Sequence, residues 1–202
     1  MLVIHPNDKS TRLAQAIYAD MNVRIVDDAW YERGIGQLLW QTPKEEPILM
    51  VGYGDHCGLY AHRYFERLEL NPSRLDDSEY IRGILACMDV PHYVLRKVHG
   101  YNLRRHNGNL IGIWPGAVEF ARRNRLHGLF TDSFIYDWQD AEQYGIMTLD
   151  MHINATNLAL FRTLGRLISS HVPFYKIPEK MKEAGRERRY VVERNFDSFF
   201  CL

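Results

Sequence analysis

Cysteine is scarce: Cys57, Cys87 and Cys201 are an odd set at wide spacings, and no C-x-x-C pair occurs among the 202 residues. Neither a disulfide framework nor a thiolate zinc site is indicated by that spacing, and a reducing compartment is predicted. Charge of either sign is also missing in excess. Lys+Arg 25 against Asp+Glu 25 leaves no net charge to draw the chain to nucleic acid or another polyanion. The local basic groups, Arg96, Lys97, Arg104, Arg105 and His106 and then Arg186, Arg188 and Arg189, read as solvated faces rather than as a site for an anion. No run reaches the length of about eighteen apolar residues that a membrane span needs, and Met1 to Asp8 has no basic segment leading a long apolar one. A cytoplasmic protein without a membrane partner is expected. There is no P-loop and no dinucleotide fingerprint, and none of the nine histidines falls in an H-x-x-x-H spacing. No cofactor and no metal is therefore expected. Internal repeats, low-complexity tracts and linkers are absent as well.

What is there is an ordinary globular composition, 46% hydrophobic, in a chain long enough for one well-packed domain. Short apolar runs alternate with amphipathic segments. Leu2 to Ile4 is a strand. Leu13, Ala14, Ile17 and Tyr18 then recur at helical spacing after Ser10 or Thr11 as cap, and Met21 to Val26 alternates as strand two. Trp30, Ile35, Leu38 and Leu39 mark a second helix that Thr42-Pro43 ends, and strand three follows from Ile48. Asp76 to Met88 reads as a further helix. Val94-Leu95 is extended in character, and Asp89 to Gly108 as a whole reads as an exposed excursion or hairpin. Strand four is Asn109 to Trp114 and strand five Leu129 to Ile135, with a helix from Ala117 to Leu126 between them and Gly128 as its αL cap. A longer helix runs from Asn154 or Thr156 to Pro173. Connections too long for hairpins predict a parallel sheet covered on both faces, a three-layer α/β/α sandwich. Residues 1–172 form the α/β domain. Residues 173–202 form a helical appendage whose apolar tail (Phe196, Phe199, Phe200, Leu202) packs on the domain or on a neighbouring subunit, so a homo-oligomer is one expectation.

The stretch Pro47 to Leu59 carries the candidate site. An apolar strand runs into Gly52-Tyr53-Gly54-Asp55-His56-Cys57-Gly58, and ligands of α/β proteins sit beyond the carboxyl ends of such strands. Clustered glycines could cradle a phosphate, or simply close a tight turn. His56 and Cys57 invite a nucleophile-and-base pairing, but consecutive residues of an extended chain point to opposite sides.

Several motifs agree in order and spacing with one family. His5-Pro6-Asn7-Asp8-Lys9-Ser10-Thr11 follows strand one, and Gly52-Tyr53-Gly54-Asp55-His56-Cys57-Gly58-Leu59 follows strand three. Ile113-Trp114-Pro115-Gly116-Ala117 closes strand four, and Gly128-Leu129-Phe130-Thr131-Asp132-Ser133-Phe134-Ile135 comes next. Over most of residues 1 to 170 the chain resembles the caspase-like fold of caspases, clostripain and gingipains, and more nearly the small bacterial and phage proteins of that fold. The resemblance implies a cysteine-peptidase dyad, a histidine and a cysteine at the ends of neighbouring parallel strands. Those positions fall on Tyr53 and Pro115.

Proline has no nucleophile, and a phenol titrating near pH 10 is a poor base at neutrality. The expected function is that of a catalytically inactive member binding a protein, peptide or small ligand in the degenerate cleft lined by Tyr53, Gly54, Asp55, His56, Cys57, Trp114, Pro115 and Asp132. An active cysteine hydrolase using Cys57 with His56, or with another histidine such as His99, is the first alternative. A nucleotide- or anion-binding module built on the glycine turn is the second.

Overall fold

A computed structural model of the chain describes residues 1–6, 11–26, 32–60, 93–188 and 193–202. The expected caps at Ser10, Asp27 and Asp28, the helix over Asp76 to Met88 and the side chain of Trp30 lie outside the described residues. The strands are β1 (Leu2–Ile4), β2 (Arg24–Val26), β3 (Ile48–Val51), β4 (Gly54–Asp55), β5 (Gly58–Tyr60), β6 (Tyr93–Arg96), β7 (Leu110–Ile113), β8 (Gly128–Thr131) and β9 (Phe199–Cys201). Six of them form one sheet in the order β2-β1-β3-β7-β8-β9, and β4-β5-β6 form a small sheet beside it. All neighbours in the large sheet are parallel except β8 and β9.

The apolar runs read as strands because both faces of the sheet are covered, which removes the need for a polar face. Leu2, Ile4, Ile48, Met50, Leu110 and Phe130 face one layer, with Ile35, Leu39, Leu103, Val118 and Phe120 from the helices Glu32–Gln41, Gly100–Arg104 and Ala117–Asn124. Val3, Leu49, Val51, Ile111, Ile113 and Leu129 face the other. There they meet Ile17 of the 3-10 helix Arg12–Ile17, Leu160 and Leu164 of the helix Asp150–Ser169, Met181 of Ile177–Arg188 and Phe196 of the short helix Arg194–Asp197. The fold is thus a three-layer α/β/α sandwich with a mainly parallel sheet. Each fully buried aliphatic side chain in these layers contributes roughly 1.5–3 kcal/mol.

Several elements differ from their expectation. Strand two is only Arg24–Val26, and Ile25 is exposed, because β2 is an edge strand with one neighbour. The first helix is 3-10 and Thr11 makes no side-chain cap. Instead Thr11 Oγ1 and Tyr18 Oη hold the two ring nitrogens of buried His5 at 3.1 and 2.8 Å, fixing the chain's exit from β1. Burial pushes the Tyr18 phenol up to about 12.

Of the stretch expected as an exposed excursion or hairpin, the described part pairs β6 antiparallel with β5 and leaves Val98 and Tyr101 exposed, but it also buries part of its chain. A 3-10 turn and the short helix Gly100–Arg104 bury His99 and Leu103, and the turn that follows buries His106, whose Nε2 lies 3.1 Å from Leu39 O. Its arginines serve the fold. Arg104 donates to Asn124 O, and Arg105 stacks 3.9 Å from the Trp40 ring centre while donating to Trp40 O. Arg125, not Gly128, takes the αL position after the helix; Gly128 already belongs to β8, pressed against Leu110 O. The long helix begins at Asp150, ahead of Asn154. Among the described residues of the segment expected as a helical appendage, helices cover Phe174–Lys176, Ile177–Arg188 and Arg194–Asp197, and the chain then supplies β9, the sixth strand of the sheet.

Candidate functional site

Strands β3 and β7 are parallel neighbours, so the turns that follow them meet at the carboxyl edge of the sheet. After β3 the chain forms a hairpin. Asp55 pairs with Gly58 across a two-residue turn, His56-Cys57, and β5 pairs onward with β6. Two-residue hairpin turns favour left-handed backbone, yet neither His56 nor Cys57 has positive φ. The Asp55 side chain holds the turn instead. Its Oδ1 accepts the N–H groups of Cys57 (2.6 Å) and Gly58 (3.2 Å), and its Oδ2 accepts the hydroxyls of Tyr60 (3.1 Å) and Tyr93 (3.0 Å). All four acceptor positions of the carboxylate are thereby used. Burial first, then the Asp55 charge and its hydrogen bond, push the Tyr60 phenol up to about 12; the same causes raise Tyr93 further. Both phenols remain neutral donors at physiological pH.

The turn after β7 supports this hairpin. Trp114, fully buried, donates its indole N–H to Asp55 O at 3.0 Å. Its backbone is locked to β8 by Thr131, whose hydroxyl accepts from Trp114 N and donates to Trp114 O. Gly116 sits at φ 83° and donates to Asp132 O at 2.6 Å; a Cβ there would lie 2.8 Å from His56 N. Glycine is required at this position both by its left-handed backbone and by the close approach of the hairpin.

The expected cleft residues therefore divide. Gly54, Asp55, His56, Trp114 and Pro115 are brought together, with His56 and Cys57 exposed at the hairpin tip. Asp132 is exposed and joins through its backbone. Tyr53 does not share an open cleft with them. It is only 8% exposed and belongs to the opposite face of the sheet from Trp114, with its ring 4.8 Å from that of Tyr136. Its hydroxyl donates to Asp137 Oδ2 at 3.0 Å and lies 3.4 Å from Asp140 Oδ2. Asp137 also caps the helix Trp138–Gln143. His99 is buried, and its Nδ1 accepts the N–H of Arg96.

His56 and Cys57 occupy a turn rather than extended chain, so they do not point apart as expected. One donor atom from each of Asp55, His56 and Cys57 lies within 4.8 Å of the others, the set that could hold a metal ion. Among the described residues no hydrogen bond joins Cys57 Sγ to an imidazole.

Sequence reasoning missed Tyr60, Tyr93, Thr131, Asp137 and Asp140. Tyr60 was accessible: in a hairpin pairing Asp55 with Gly58, a residue two beyond Gly58 lies on the same face as the pair.

Searches against family models, curated proteins and solved structures give no match. Among the described residues no helix is long and apolar enough to cross a membrane.

Proposed function

We propose that the chain is a catalytically inactive protein of the caspase-like kind that binds a protein, peptide or small ligand at the carboxyl edge of its sheet. One observation carries this reading: β3 and β7 are parallel neighbours, the arrangement a histidine–cysteine dyad needs, and they run out into Tyr53 and Pro115. Pro115 offers no nucleophile. Tyr53 is engaged as a donor to Asp137 and buried against Tyr136, so it is not placed to take a proton from a thiol. The exposed free thiols Cys57 and Cys201 fit a reducing, cytoplasmic setting.

A cysteine hydrolase built on Cys57 has one observation in its favour, the nearness of exposed His56. No hydrogen bond joins the pair among the described residues, and His99 already accepts a backbone N–H. The anion-binding reading is weaker, because Asp55 occupies the N–H groups of Cys57 and Gly58 that would face a phosphate.

The test is labelling of the purified, chelator-treated chain with an electrophilic peptidyl probe for cysteine peptidases, followed by peptide mapping. The expected result is reaction at Cys57 no faster than at exposed Cys201. Rapid, stoichiometric labelling of Cys57 that depends on His56 would overturn the inactive reading in favour of a hydrolase.

A further inference from the structure

The hairpin tip presents three chemically different donors that the cleft reading does not use. We propose that Asp55, His56 and Cys57 form a site for a borderline-soft divalent cation of the zinc class, with one coordination position left open. A carboxylate, an imidazole and a thiolate are the donor types such an ion takes, and three protein donors with one open position is the arrangement of zinc sites that bind exchangeable water or ligand. The inference is independent of whether the protein is catalytic.

The geometry is close to what binding requires. With bonds of about 2.0–2.3 Å, tetrahedral donors stand roughly 3.3–3.8 Å apart; here they lie within 4.8 Å of one another. Side-chain rotation at His56 and Cys57, which are exposed and make no side-chain hydrogen bond among the described residues, can bring these donors closer. The backbone beneath them is held in place by the indole N–H of Trp114 on Asp55 O and by the packing of Gly116 against His56 N.

Asp55 has the outer support that ligating carboxylates usually carry. Tyr60 and Tyr93 hold its Oδ2, which leaves Oδ1, the oxygen bonded to the turn that carries His56 and Cys57, as the ligand atom of the proposed site. Oδ1 already accepts two N–H groups, and an ion there would displace the longer of these bonds, that from Gly58 at 3.2 Å. Coordination converts the Cys57 thiol to thiolate and releases its proton to solvent, so affinity falls as pH is lowered. The sequence concealed the site because its three donors are consecutive, a spacing that only a tight turn makes convergent.

Cobalt(II) titration of the full chain carrying Cys87→Ser and Cys201→Ser tests the proposal. One cobalt per chain is expected, with a sulfur-to-cobalt charge-transfer band in the near ultraviolet that zinc displaces. Adding Cys57→Ser should abolish the band, and adding His56→Ala should weaken cobalt binding about tenfold or more. Both residues are exposed, so circular dichroism should be unchanged in either variant. A band that survives Cys57→Ser, a stoichiometry well below one, or an affinity unmoved by His56→Ala would overturn the site, the last marking adventitious thiol binding only.

Discussion

Two places in the molecule use one side chain to stand in for missing backbone pairing, and they do so at opposite ranges. Asp55 serves its own turn, accepting N–H groups two and three residues ahead. Asn195 serves a strand end far away: its Oδ1 accepts from Ile135 N at 2.9 Å, and its Nδ2 donates to Ile135 O and to Asn157 Oδ1, both at 2.8 Å. The amide imitates a neighbouring strand just where β8 has ended. Asp55 sits beside an exposed tip, whereas Asn195, Asn157 and Ile135 are buried. Water can replace a lost partner at the first place and not at the second, so equal numbers of hydrogen bonds carry unequal weight.

Substitution tests that inequality directly. Asn195→Ala should destabilise most, by roughly 2–4 kcal/mol, because it strands the buried N–H of Ile135 and leaves Asn157 Oδ1 without its donor. Urea unfolding measures it, and a loss below that of any hairpin variant would break the comparison. Asp55→Asn should cost about 2 kcal/mol, since the amide cannot accept both phenols and both N–H groups and lacks the charge that strengthens them. Tyr60→Phe and Tyr93→Phe should each cost about 1 kcal/mol. Their double variant should lose more than the sum, because either hydroxyl alone still serves Asp55 Oδ2 and only the double variant leaves it with neither.

Alkaline titration sharpens the same contrast. Tyr60 is held near 12 in the folded chain and returns to about 10 on unfolding. The folded state therefore keeps a proton that the unfolded state gives up. Its contribution to stability is complete below pH 10 and is lost as pH rises towards 12. In Tyr60→Phe that part of the alkaline decline, followed by unfolding midpoint against pH, should be reduced, while Asn195→Ala should leave its slope unchanged. The smallest effect belongs to the tip: His56→Ala should shift stability by less than about 0.5 kcal/mol.

The contrast also marks what could be read in the chain. Strands β1, β3, β7 and β8 were legible because parallel strands buried on both faces are short unbroken apolar runs, such as Ile48-Leu49-Met50-Val51. The turn after β3 was legible from its glycines. The segment from His99 to His106 was misread because its polar composition outweighed a pattern that was present: His99, Leu103 and His106 recur at helical spacing and are buried together. Asn195 had no local signal at all, since its partner is 60 residues away. Nor had β9, whose three residues gain meaning only beside β8. The direction of Tyr53, into the layer opposite Trp114, depends on which side of the sheet each turn leaves, which motif spacing does not encode.

The strand order carries a consequence for time rather than for structure. No two neighbours in the six-stranded sheet are joined by a tight turn, so each pairing must await the closure of a long stretch of chain, and sheets of this kind form in milliseconds or slower. The β4-β5 hairpin closes over two residues and belongs to the class that forms in about 1–10 μs. Its struts, Trp114 and Gly116, arrive only with β7. During refolding the tip should thus form and dissolve many times before the sheet captures it, and stopped-flow fluorescence should report the seating of Trp114 in the same slow phase as the burial of the core.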